Sequence, residues 1–180
     1  MPRRAFTLIE LLVVVAIIGL LSTVAVVALN GSQLNARNAK RRADMLQIAK
    51  ALELYYADNG SYPVAASWRG NCSAYGGYPD VDPGSWVPGL VSGGYMAKLP
   101  RDPRSGQPNQ NYSDAFCKNN PGNNCYLYIS NGTDYVILAY CTPEGALSSS
   151  DPFYCSIIPA CSVREWRLTS QVNATTNGWY

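Results

Sequence analysis

Arg3-Arg4-Ala5-Phe6-Thr7-Leu8-Ile9-Glu10-Leu11-Leu12-Val13 is the stretch on which the reading turns. Two arginines precede a run that stays apolar to Leu29 apart from Thr7, Glu10, Ser22 and Thr23, with Gly19 inside it. As an α-helix, residues Phe6 to Leu29 would reach about 36 Å, enough to cross a bilayer. The β-branched groups Val13-Val14-Val15 and Ile17-Ile18 are no obstacle, because lipid obliges the backbone to bond to itself. Arg3 and Arg4 hold the N-terminus on the cytoplasmic side. Glu10 is the anomaly. At mid-membrane an acidic residue costs ~2.5–3.5 kcal/mol, so it needs a partner or an exit to the interface. Thr7-Leu8-Ile9-Glu10 also fits a capping box, with the carboxylate at the positive end of the helix dipole.

Working outward, Asn30-Gly31-Ser32 is a potential break, after which helical spacing resumes. Met45, Ile48, Ala49, Leu52, Tyr55 and Tyr56 follow the pattern of one buried face, which predicts an amphipathic segment lying against a sheet. Arg41, Asp44, Lys50 and Glu53 are expected on other faces, and Arg37, Lys40, Arg41 and Arg42 read as a solvated basic stripe. Asn59-Gly60 and Pro63 supply the stop. The simplest organisation is a basic leader over 1–5, a long helix over 6–59 and a globular head over 60–180. Within the helix, 6–29 is apolar all round and 33–59 is amphipathic.

The head is loop-rich. Residues 60–124 carry most of the glycines and prolines, with faint strand signals. Tyr126–Ser130 and Tyr135–Cys141 read as a hairpin around the turn Asn131-Gly132-Thr133-Asp134. Trp166, Leu168 and Val172 alternate with polar residues, predicting a further strand over Arg164–Val172. The fold class that follows is α+β, a long N-terminal helix on a small antiparallel sheet with disulfide-stapled loops.

Histidine is absent from the 180 residues, which excludes Ser-His-Asp and Cys-His catalysis within this chain. No phosphate loop or nucleophile elbow is present either. Asp80, Asp82 and Asp102 are the remaining acids in loop-like sequence and read as surface groups, so no catalytic residues are assigned. Arg3 and Arg4 account for the formal charge of +2, leaving no basic footprint for nucleic acid. Cys72, Cys117, Cys125, Cys141, Cys155 and Cys161 form an even set without C-x-x-C spacing, which favours disulfides over zinc and a head outside the cytoplasm. Their pairing is open. Neither metal nor cofactor is expected.

Basic leader, small residue, Phe6 and Glu10 together resemble the start of the type IV pilin and type II secretion pseudopilin family. The similarity continues in Ala51-Leu52-Glu53-Leu54-Tyr55-Tyr56-Ala57-Asp58-Asn59-Gly60-Ser61-Tyr62-Pro63, in Leu99-Pro100-Arg101-Asp102-Pro103 and in the Tyr126–Ala139 hairpin. The resemblance implies a structural filament subunit rather than an enzyme. A prepilin peptidase would cut between Ala5 and Phe6, and the new Phe6 amine would be methylated. Glu10 would then pair with the Phe6 ammonium of a neighbouring copy. The implied partners are copies of the chain and related pilins, the peptidase, the inner-membrane assembly machinery and, before assembly, membrane lipid. The chain would start as a single-pass protein of the cytoplasmic membrane and end in an extracellular or periplasmic filament.

Two departures from the family pattern are visible. Ala5 replaces the usual glycine before the cut, and no proline precedes Pro63 within the helix. The calcium loop of major pseudopilins is not recognisable, and the head is rich in cysteine. Both features favour a pilin, with a secretion pseudopilin or a minor subunit with a ligand-binding head as the alternative. In that alternative Trp68, Tyr75, Tyr78, Trp86 and Tyr95 form a contact surface. A further rival is an ordinary secreted protein cut after Thr23-Val24-Ala25.

Overall fold

A computed structural model describes residues 6–80, 84–107, 124–142 and 165–170, together with Cys117, Gly122, Glu144, Gly145, Asp151 and Phe153; the side chains of 24–28 and Glu165 are not among the described groups. The chain divides into two compact units, residues 1–37 and residues 38–180.

A single helix, α1, runs Leu8–Asn59 over 52 residues. The single long helix is as expected, and the potential break at Asn30-Gly31-Ser32 does not occur, since helix persists through all three. One interior glycine costs a helix about 1 kcal/mol, too little to interrupt one of this length. At the other end the stop is as expected. The Gly60 amide donates to the Tyr56 carbonyl at 2.8 Å, and Gly60 adopts a left-handed φ of 71°, which a side chain would resist.

In the first unit the apolar residues of α1 stand open. Phe6 and the large side chains from Leu8 to Leu21 are 46–84 % exposed. Among the described residues, no helix is long and apolar enough to cross a membrane. The span expected over Phe6–Leu29 includes the side chains of 24–28, outside the described groups.

The second unit is a helix-on-sheet sandwich. Strands β1 (Ala65–Gly70), β2 (Cys125–Ser130), β3 (Tyr135–Tyr140) and β4 (Glu165–Thr169) form an antiparallel meander in that order. Met45, Ile48, Ala51 and Leu52 of α1 share one core with Tyr126, Tyr128, Tyr135, Ile137, Ala139 and Trp166. The alternate residues Leu127, Ile129, Val136 and Leu138 form a second cluster on the opposite face. Both faces of the hairpin are therefore buried, which explains its near-continuous apolar sequence.

The hairpin and the β4 strand lie where expected, within a residue or two at most ends; Val172 is outside the described residues. β1 was not visible in the sequence. Ala65-Ala66-Ser67-Trp68-Arg69-Gly70 has no β-branched residue, and its strand form comes from pairing with β2, with a shift of register between Ala65 and Arg69. Gly70 permits that approach: a Cβ there would stand 2.5 Å from Leu127 Cδ2 and 3.0 Å from the Tyr126 carbonyl oxygen.

Candidate assembly site

The helix start is built as the capping motif predicts. The backbone N–H and the hydroxyl of Thr7 donate to Glu10 Oε2 at 2.9 and 2.7 Å, and the Glu10 N–H donates back to Thr7 Oγ1 at 3.3 Å. Two orphan amides are thereby satisfied. The group is exposed, and Phe6 beside it is 84 % exposed. Phe6 and Glu10 thus sit together at one end of α1. Ala5, the other side of the proposed cut, lies outside the described residues.

In the head, the cysteines resolve into Cys72–Cys125 and Cys117–Cys141. The first fastens the chain just after β1 to the start of β2. The second joins Cys117 to the residue that follows β3. Cys155 and Cys161 lie outside the described residues. Among the described residues, no group of three His, Cys, Asp or Glu side chains has an arrangement that holds a metal ion.

The largest correction concerns the basic stripe. Arg41 is not solvated; its side chain is fully buried among two acids and an amide. Its Nε and Nη2 donate to Asp102 at 2.7 and 3.2 Å, and Nη1 donates to Asn38 Oδ1 at 2.8 Å while lying 3.0 Å from Glu144 Oε1. Burial alone would lower the Arg41 pKa, but the carboxylates of Asp102 and Glu144 outweigh it and hold the group above its ordinary value.

Asn38 completes the joint through its Nδ2, which donates to the Glu144 carbonyl at 2.8 Å; its Oδ1 accepts the Glu144 N–H at 3.1 Å. Asp102 also accepts the Arg104 N–H at 2.7 Å. One turn along α1, Asp44 accepts from Lys40 at 2.9 Å and from the Tyr126 hydroxyl at 2.9 Å. Arg42 pairs with Asp151 and lies 4.5 Å above the Trp166 ring.

Asp102 and Asp80 are accordingly not surface acids. Asp80 is buried and bonded by Asn71 and Arg101, whereas Asp82 lies outside the described residues. The sequence did contain the missing signal. Arg41, Asp44, Met45, Ile48 and Leu52 fall on one helical face, so the buried stripe extends through the charges. Tyr56 departs in the other direction: it is 41 % exposed and packs its ring against Tyr62, while Ala51 is buried instead. Of the five aromatics expected to form a contact surface, Trp86 is wholly core, Tyr78 and Tyr95 are half-buried against that core, and Tyr75 and Trp68 (on β1) are half-buried against the second cluster.

Comparison with known proteins accords with this architecture. Residues 1–26 match the model of the prokaryotic N-terminal methylation motif. The chain is 33% identical over 101 residues to the type II secretion system core protein G of Klebsiella pneumoniae, covering 56% of this chain and 69% of that one. It is 36% identical over 108 residues to the protein of the same name from Pseudomonas aeruginosa, covering 57% and 71%. The Escherichia coli (strain K12) protein is 29% identical over 137 residues, covering 73% and 83%. No solved structure gives a significant match. With a methylation-motif start, a pilin-like helix-on-sheet head and relatives aligned over more than two thirds of their own length, the chain belongs to the family of the type II secretion system core protein G, the pseudopilins.

Proposed function

We propose that this chain is the pseudopilin of a type II secretion filament, made as a single-pass inner-membrane precursor and assembled in the periplasm through its N-terminal helix. The observation that carries the reading is the coincidence, within one stretch, of the methylation motif and an exposed apolar helix whose start bears Glu10. The relatives' name supports the secretion branch, the alternative that the cysteine-rich head had ranked second.

The chemistry is that of a subunit, not a catalyst. Cleavage between Ala5 and Phe6 removes Arg3 and Arg4 and creates a new ammonium at Phe6. Thr7 engages Glu10 Oε2 and leaves Oε1 for a cation. In lipid that carboxylate is costly; beside the methylated Phe6 ammonium of a neighbouring copy it is neutralised. Apolar side chains that lack partners in one copy pack against those of the next. Register then follows from the charge pair, because a helix displaced by one turn leaves both charges unpaired.

Mass spectrometry of the protein from its native host tests this reading. A mature chain beginning at methylated Phe6, held in the cell envelope, is the expected result. Abundant Phe6-start material sheared from the cell surface would instead make it a pilus subunit. A start at Val26 would return it to the ordinary secreted proteins and overturn the filament reading.

A further inference from the structure

We propose that Asn131 is an N-glycosylation site, the acceptor for an oligosaccharide carried on a polyprenyl pyrophosphate. The chain contains several Asn-x-Ser/Thr triplets, and the structure separates them. Asn30-Gly31-Ser32 lies within α1, where residues two apart point to different sides, so amide and hydroxyl cannot be presented together. The Asn59 amide nitrogen of Asn59-Gly60-Ser61 is committed to the Tyr55 carbonyl and the Tyr95 hydroxyl. The Asn71 amide nitrogen of Asn71-Cys72-Ser73 is committed to Asp80 at 2.8 Å. Asn111 and Asn173 lie outside the described residues.

Asn131-Gly132-Thr133 differs on every count. It forms the tip of the β2–β3 hairpin, and both Asn131 and Thr133 are exposed. Asn131 Oδ1 accepts the N–H groups of Thr133 and Asp134 at 2.9 and 2.8 Å. The oxygen is turned inward and occupied, while neither the amide nitrogen nor the Thr133 hydroxyl has a hydrogen-bond partner among the described residues. The tip is also held rigid. Gly132 sits at φ 93°, its carbonyl accepts the Tyr62 N–H at 2.7 Å, and its own N–H donates to Ser130 Oγ at 3.0 Å. That last bond also restrains the Gly132 nitrogen from attacking the Asn131 side chain, the deamidation to which Asn-Gly pairs are prone.

In the transfer, a bond forms between Asn131 Nδ2 and the anomeric carbon of the first sugar. The bond from that carbon to the pyrophosphate oxygen breaks, and the lipid pyrophosphate leaves with the electron pair. The amide nitrogen gives up one proton to a carboxylate base of the membrane transferase. The reaction needs a head exported from the cytoplasm, so it rests on the location proposed above.

The test is mass spectrometry of the hairpin peptide from the protein isolated from its native host, with the N-terminal peptide read from the same digest. The expected result is an oligosaccharide mass on Asn131. It should vanish in Asn131→Gln and in Thr133→Val, which keeps the backbone N–H of the turn, and persist in Thr133→Ser. A bare Asn131, an aspartate in its place, or sugar confined to Asn71 overturns the proposal. A methylated Phe6 beside a bare Asn131 would sink this proposal alone; an unprocessed N-terminus would sink the assembly reading with it.

Discussion

The guanidinium of Arg41 holds both carboxylate oxygens of Asp102, Nε to Oδ2 at 2.7 Å and Nη2 to Oδ1 at 3.2 Å, with neither side chain reaching solvent. Asp102 lies 61 residues along the chain. The pair therefore ties the helix to a loop that no disulfide among the described residues reaches. Glu144, beyond β3, joins the same guanidinium. One cation thus gathers two distant loops onto α1.

Removing that cation should be costly. Arg41→Leu leaves two buried carboxylates facing each other, and breaking a buried pair from one side typically costs about 3–5 kcal/mol. Denaturant unfolding of the full chain in detergent measures it. Arg41→Lys should lose less, keeping the charge but not the two-pronged grip. A loss below ~1 kcal/mol for Arg41→Leu would mean that the acids had found water or other partners.

Alkali should unfold the head through its tyrosines. Burial pushes the Tyr62 hydroxyl up to about 12, aided by the Glu53 carboxylate that accepts from it. Burial raises Tyr128 and Tyr135, and raises Tyr126 together with the nearby Asp102 and Asp44. Each group keeps its proton longer in the folded state than in the unfolded one. Their contribution is whole below pH ~10, the unfolded value, and is lost as pH climbs through the folded values. Tyrosinate absorbance and loss of circular dichroism should rise together above that point, and Tyr62→Phe should take one proton from the transition. Full ionisation of these four with the fold intact would refute the account.

The two bridges should differ modestly in worth. Cys72–Cys125 spans 53 residues and Cys117–Cys141 spans 24. Chain-entropy reasoning gives about 4 and about 3.5 kcal/mol respectively. Cys72→Ser/Cys125→Ser should therefore lower the denaturant midpoint at least as much as Cys117→Ser/Cys141→Ser. The reverse order, by more than ~1 kcal/mol, would show that local strain or residual structure dominates.

The elements legible in the sequence were those fixed by local physics. The hairpin announced itself because both its faces are buried and its turn is Asn131-Gly132-Thr133-Asp134. The helix stop was legible because only glycine suits the left-handed φ at Gly60. Thr7 and Glu10 were legible as a cap because their bonds span three residues. What stayed hidden depends on distant partners. β1 is a strand because β2 lies beside it, and although Arg41 falls on the buried face of α1, the acids that meet it there, Asp102 and Glu144, come from distant loops. Cysteine pairing is likewise a property of the folded head, since spacing leaves many connectivities equal.

Glu10 caps the helix and is proposed to drive assembly, and a pair of substitutions separates the two. As a cap, it is one partner of Thr7, and losing either should fray the helix start. In the proposed assembly role, only the carboxylate matters. Glu10→Ala should leave the chain processed and inserted but largely unassembled, whereas Thr7→Ala removes the hydroxyl and keeps the charge, so filaments should still form. Crosslinking of subunits in the membrane, compared with filament yield, reads the two effects apart. Equal defects in both variants would reduce Glu10 to a helix cap. Normal filaments from Glu10→Ala would remove it from assembly altogether.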